Sequence, residues 1–186
     1  MTGKPFYGYP VFVPVADMYD RPIDFKGADL HLITYKEITG GQSRTIGNYW
    51  MNDLYLDENF VLMNSKDAKR LGLNDGEKVR VVSAFNTSGE WDLQNGTKVP
   101  MVGKLKVTEG ITPGTVAVSW HFGHWAYGAG DVVINGQLVK GDSRRKAGLC
   151  TNAALAVDPV LGNMCLTDKI GGSASFYDTH VKVVKA

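Results

Sequence analysis

Two stretches of this 186-residue chain gather side chains able to do chemistry. The first is Thr34-Tyr35-Lys36-Glu37-Ile38-Thr39-Gly40-Gly41-Gln42-Ser43-Arg44-Thr45. Its adjacent glycines let the backbone approach a flat or phosphorylated ligand, and Lys36 and Arg44 offer charge-assisted hydrogen bonds to oxyanions. Gln42 and Ser43 can read the edge of a heterocycle. An ordinary polar loop with a solvated Lys and Arg fits the same composition about as well. The second stretch, Trp120-His121-Phe122-Gly123-His124-Trp125, with Tyr127, Gly128 and Gly130 after it, alternates rings and glycines. It reads either as the wall of a site, with imidazoles bonding a ligand near neutral pH, or as histidines satisfied by backbone beside core tryptophans. The second outcome is the commoner one. Its His-x-x-His spacing sits in a Gly-rich loop rather than on a helix, with no acidic or Cys ligand nearby, which argues against zinc.

A third group, Cys150-Thr151-Asn152-Ala153-Ala154-Leu155 with Asp158-Pro159, holds Asn152 as a strong bidentate polar group, either a turn former or a ligand reader. Cys150 and Cys165 have no base partner in sequence and read as structural thiols. They are also too few for a disulfide scaffold and lack zinc-ligand spacing. No Walker or Rossmann glycine loop and no GxSxG elbow is present, so no catalytic residue or metal ligand is assigned to this chain.

The elements that must position these groups are mostly short strands. Alternating or β-branched runs predict strands at Leu30–Tyr35, Phe60–Met63, Lys78–Ser83, 99–107, 115–120 and 179–184. One short helix is expected over 66–71, capped by Asn64 or Ser65 and closed by Gly72. Asp75-Gly76 before Val79-Arg80-Val81 is echoed by Pro113-Gly114 before Val116-Ala117-Val118, a faint sign of two related half-barrels. Between residues 120 and 159 regular signal is sparse: a Gly-rich start, an Asn135-Gly136 turn and a basic patch at Arg144, Arg145 and Lys146. Ordered loops of that length usually serve a function. Residues 5–26 carry four of the seven prolines and six Phe or Tyr rings without periodicity, and read as an extended arm burying its rings on some surface, which need not be part of this chain.

Composition narrows the classes. Lys and Arg total 20 against 19 Asp and Glu, so no field favours nucleic acid or an acidic membrane surface. The longest charge-free stretch, 110–130, contains Pro113 and five glycines and is unfit to span a bilayer as a helix. No apolar region follows Met1 to suggest a secretory signal, and the compartment stays open.

The segment Met63-Asn64-Ser65-Lys66-Asp67-Ala68-Lys69-Arg70-Leu71-Gly72-Leu73-Asn74-Asp75-Gly76-Glu77-Lys78-Val79-Arg80-Val81 closely resembles a signature of the C-terminal dinucleotide-binding domain of molybdopterin oxidoreductases. The first loop, the Pro113-Gly114-Thr115-Val116 strand, the His121–Trp125 loop, Asn152, Asp158-Pro159 and the ending Ser175-Phe176-Tyr177-Asp178-Thr179 follow the family pattern in order. Within the family the chain looks most like catalytic subunits of tetrathionate, polysulfide or thiosulfate, and respiratory arsenate reductases.

The resemblance implies a mainly β fold, a double-psi β-barrel with short helices and long loops, over residues 30–186, and an arm at 1–29 leading in from the preceding part of a parent chain. It implies bis(molybdopterin guanine dinucleotide) with molybdenum or tungsten as the cofactor. Contacts carried over by matching position are Thr34, Tyr35, Lys36, Gln42, Ser43, Arg44 and Thr45, then His121, Gly123 and His124, then Asn152, Phe176 and Tyr177. Lys36 stands where relatives often have Arg, which removes a bidentate contact. The signature helix marks the barrel rather than a cofactor contact. The implied parent reduces a sulfur or arsenic oxyanion and works with its own remaining domains, an iron–sulfur electron-transfer subunit, and a membrane anchor subunit. Its metal ligand and Fe–S cysteines lie outside this chain, which is then inert alone. A free-standing binding barrel that docks a protein or small molecule is the alternative. A small hydrolase or decarboxylase ranks below both, because no base and nucleophile pair can be placed.

Overall fold

A computed structural model describes residues 8–41, 45–54, 56, 58–125, 128–169 and 171–186. Alternation of apolar and polar side chains builds its strands. Leu30 and Leu32 point inward from β1 (Leu30–Tyr35), Val61 and Met63 from β2 (Phe60–Met63), and Val79 and Val81 from β3 (Lys78–Ser83). Two short strands follow, β4 (Glu90–Asp92) and β5 (Lys98–Pro100), then β6 (Val102–Val107) and β7 (Thr115–Ser119). After β8 (Val132–Ile134) and β9 (Gln137–Val139), the chain ends in β10 (Thr179–Lys185), which buries Val181 and Val183. Six strands close into a barrel in the order β1-β10-β3-β6-β2-β7. The pairs β1–β7 and β2–β6 are parallel and the other four antiparallel. The fold is therefore mainly β around a closed barrel, as expected.

Where the structure departs from the sequence reading, a tertiary contact explains it. The run 99–107 is two strands, because buried Met101 turns the chain from one partner to another: its N–H donates to the Gly89 carbonyl at 2.8 Å and its carbonyl accepts from Val81 N–H at 2.9 Å. Pro100, with no N–H to give, falls on the small β4–β5 hairpin outside the barrel. Helix α1 (Tyr49–Leu54) escaped notice because none of its residues is buried, so it shows no apolar stripe. The two echoed turn-strand units differ in company: β3 has two antiparallel neighbours, β7 one parallel and one antiparallel.

Strand directions sort the loops onto two ends. The ends of β1, β3 and β7 and the beginnings of β2, β6 and β10 share one end. Helix α2 (Ser65–Leu71) occupies the other. There Asn64 accepts the Lys66 N–H at 2.9 Å and donates to the Ile111 carbonyl at 2.8 Å, while Gly72 closes the helix at φ 67°. Buried Asp67 accepts the Gly114 N–H at 2.6 Å, and Asp75 accepts the Val107 N–H at 2.8 Å. The signature thus ties helix to barrel at the end away from loops 36–48 and 120–131.

The arm folds back at buried Asp17, whose carboxylate accepts from Tyr19 N–H, Arg21 N–H and Arg21 Nε. It reaches the barrel where the Met18 N–H meets Asp158 and where Phe25 stacks on His180, rings 4.5 Å apart. The other described rings do not bury against this chain: Tyr9, Phe12 and Tyr19 are 69%, 90% and 70% exposed.

Candidate functional site

Parallel pairing sets Tyr35 beside Ser119, and the Trp120 N–H donates to the Tyr35 carbonyl at 3.3 Å. Loops 36–48 and 120–131 therefore leave the barrel side by side, and His121 joins them. Its Nε2 accepts the Glu37 N–H at 2.9 Å and its Nδ1–H donates to the Gly41 carbonyl at 2.7 Å. That arrangement needs the neutral ring, and burial, the largest influence, holds the His121 pKa below the ordinary histidine value. Trp120 stacks alongside at 5.5 Å. Gly40 lies against the imidazole so closely that a Cβ there would come within 2.3 Å of Nε2. Both ring nitrogens of His121 are thus committed to backbone, so it shapes the first loop and has none left to offer a ligand.

Gly123 performs the corresponding task for the second loop. Its N–H donates to the Ala147 carbonyl at 2.7 Å, its φ is 73°, and a Cβ would lie 2.2 Å from the Cys150 nitrogen. His124 Nε2–H donates to the Trp120 carbonyl at 3.0 Å, leaving Nδ1 facing Cys150 Sγ at 4.0 Å. Burial pushes the Cys150 thiol up to about 11, so it stays protonated and unreactive, the structural role expected. Beneath both loops sits Asn59, buried, which the sequence reading missed. It donates to the carbonyls of Ser119 at 2.6 Å and Leu149 at 2.8 Å and accepts the Leu149 N–H at 2.8 Å. Nothing local marks an Asn just ahead of a strand as a staple.

Thr45 Oγ1 accepts the Gly41 N–H at 3.0 Å, closing the segment that contains Gln42, Ser43 and Arg44, three residues outside the described ones. Thr34 and Tyr35 are half-buried at the end of β1, and the Lys36 ammonium lies 5.6 Å over the Trp120 ring. Asn152 is exposed in the turn after Cys150, and the neighbouring Ala153 carbonyl accepts from Asn86 Nδ2 at 2.8 Å. Phe176 and Tyr177, 52% and 55% exposed, lead into β10, whose register with β1 brings them to the same end. The basic patch joins them: Arg145 Nε donates to Tyr49 Oη at 2.8 Å and the Arg144 guanidinium lies 3.7 Å over that ring. The described site residues therefore converge on one end of the barrel. Among the described residues no cluster of three His, Cys, Asp or Glu suited to a metal ion occurs.

A family model described as Molydopterin dinucleotide binding domain matches residues 30–163. The chain belongs to that family. It is 46% identical over 183 residues to a selenate reductase subunit of Mesobacillus selenatarsenatis, covering 98% of this chain and 17% of that protein. The molybdopterin-containing ArrA subunit of the arsenate respiratory reductase of Shewanella sp. (strain ANA-3) is 26% identical, over 95% of this chain and 18% of its own length. A tetrathionate reductase subunit of Salmonella typhimurium is 27% identical, over 86% and 14%. The domain thus spans less than a fifth of these curated relatives. Acetylene hydratase from Pelobacter acetylenicus shares the fold, with a TM-score of 0.52 at 18% identity over 87% of this chain and 19% of that one.

The residues at this end fit a pterin dinucleotide. Ser119 Oγ, Thr151 Oγ1 and Trp125 Nε1 are buried atoms without a hydrogen-bond partner, a deficit that a polar ligand or water would relieve. Lys36 is an exposed cation of the kind a phosphate requires, and the exposed Asn152 amide has the donor and acceptor that a ring edge requires.

Proposed function

We propose that this domain holds bis(molybdopterin guanine dinucleotide), with molybdenum or tungsten, inside a larger oxidoreductase that reduces an oxyanion of sulfur, arsenic or selenium. The observation that supports this reading is that the described residues among the expected contacts lie at one end of the barrel, opposite the signature helix. In this proposal Lys36 and Arg44 neutralise pyrophosphate, while Gln42, Ser43 and Asn152 read the heterocycle edges. Thr34, Tyr35 and Thr45 border the first loop, His124 and Gly123 the second, and Phe176 and Tyr177 the last approach. His121 acts at one remove, by fixing the backbone from Glu37 to Gly41. The cofactor, when bound, supplies oxygen-atom transfer and electron flow. The protein's part is to grip and orient it. Residues 1–29 lead in from the preceding part of the parent chain, whose proposed partners are an iron–sulfur electron-transfer subunit, and with it a membrane anchor subunit. The 46% identity to a selenate reductase subunit is the reason to include selenium beside the sulfur and arsenic oxyanions implied by the family resemblance.

Metal and pterin content of the full-length gene product test the reading. Arg44→Ala and Asn152→Ala in that protein should each lower cofactor retention several-fold while leaving the barrel folded. Unchanged metal content in both variants overturns the assigned contacts, and a native enzyme without molybdenum, tungsten or pterin overturns the function.

A further inference from the structure

The hairpin β8–β9 is assigned no role by the proposed cofactor site, although it is rooted in it. It leaves loop 120–131 and returns to the basic turn, with its base closed by three contacts. The Asp142 N–H donates to the Gly128 carbonyl at 2.8 Å, the Gly141 N–H to Asp131 at 2.9 Å, and Lys140 pairs with Asp131 at 2.7 Å. Asn135 and Gly136, at φ 51° and 78°, make the tight turn at its tip.

Beyond that base nothing among the described residues covers it. Cross-strand pairs are Val132 with Val139, Val133 with Leu138 and Ile134 with Gln137, so successive pairs point to opposite faces and both faces are apolar. All six residues are exposed, Val133 at 69% and Leu138 at 57%. A lone two-stranded ribbon is marginal in water, and its outer edges leave backbone groups unpaired. Aliphatic side chains on both faces of such a ribbon fit insertion between two surfaces rather than contact on one side.

We infer that β8–β9 is a tongue that inserts into an apolar groove formed by the rest of the parent polypeptide. This inference rests on the reading of the domain as part of a larger oxidoreductase. Two observations choose that occupant over a separate protein. The curated relatives carry more than four-fifths of their length outside the region this chain matches. The tongue also springs from the same end of the barrel as the cofactor loops, and a Cβ at its root Gly128 would lie 3.4 Å from the Arg145 guanidinium that bonds Tyr49 beside the first loop. A surface that closes over the dinucleotide is therefore within reach of the tongue.

The test places a benzoyl-phenylalanine photophore at Val133 or Leu138 of the full-length enzyme, with the exposed β4–β5 hairpin position Gln94 as a control. Irradiation should give cross-links to residues of the same polypeptide outside the matched region, with no mass increase on a denaturing gel. Amides of 132–139 should also exchange at least about tenfold more slowly than expected for a solvent-exposed ribbon. Cross-links to another subunit, to a second copy or to lipid overturn the inference, as does labelling no greater than at Gln94 together with fast exchange. A native polypeptide no longer than these 186 residues would instead remove the parent-chain reading itself.

Discussion

His121 and Gly40 work as one unit, because the imidazole fills the space where any larger residue at 40 would place its Cβ. Gly40→Ala should therefore displace the ring, release the Glu37 and Gly41 backbone and lower cofactor content of the full-length enzyme, with little change in its circular dichroism. The same ring gives the loop a pH dependence whose sign is fixed. A folded pKa below the ordinary 6.5 means that the opened loop binds the proton more tightly. The stabilisation is complete above that ordinary value and is lost as pH falls through the lowered one. Amide exchange at 37–41, corrected for intrinsic rate, should accelerate as pH falls below about 6.5, and His121→Gln should flatten the trend. Reading those amides rather than global stability separates His121 from His180, which burial shifts the same way. Asn59 is the other residue on which the site depends. Asn59→Ala removes the amide that serves two carbonyls and one N–H, a loss of about 3 kcal/mol measurable as a lower urea midpoint for the barrel.

Helix α2 shows how far a recognisable motif can lie from the chemistry it accompanies. Its cap, its left-handed glycine and the Asp67 bond to Gly114 are contacts between element and barrel. Gly72→Ala should cost about 1 kcal/mol, since the position has space for a Cβ but its φ of 67° penalises one. Asp67→Asn should cost about 2 kcal/mol by weakening a short bond to a charged acceptor. Neither should change metal content per folded molecule, and a drop measured by metal analysis would place α2 in the site after all. The helix and β1 to β3 were legible because caps and alternation are local. The β4–β5 hairpin, α1 and the break at Met101 were not, because each depends on a partner distant in sequence or on having no buried face at all.

At the scale of the molecule, the barrel supplies rigidity, and in the proposed function the loops hold the ligand. Twelve apolar side chains of the barrel strands are buried to 2% exposure or less: Leu30, Leu32, Val61, Met63, Val79, Val81, Leu105, Val116, Ala117, Val118, Val181 and Val183. The loop end is held by hydrogen bonds and carries Ile38, Trp50 and Leu54 at 89%, 84% and 82% exposure. Removing the cofactor from the full-length enzyme should therefore raise hydrogen exchange in 36–48 and 120–131 and leave β1, β3 and β10 protected, as followed by mass spectrometry. Equal deprotection of the strands would mean that the barrel does not fold independently of its ligand. The near balance of 20 basic and 19 acidic residues fits the proposed division, in which cations act locally on the phosphates rather than as a surface field.

By itself the sequence determined the strand faces, the capped helix and the family, and it singled out the two loops, because alternation, capping and glycine placement act over a few residues. It left two readings of His121 open. Tertiary structure decided between them by bringing residues 37 and 41 onto the imidazole of residue 121, a contact that depends on the parallel pairing of β1 with β7 across more than eighty positions. The same pairing gathered the loops on one end and left the β8–β9 tongue projecting from it, since strand direction and exposure are properties of the closed barrel and not of any local segment.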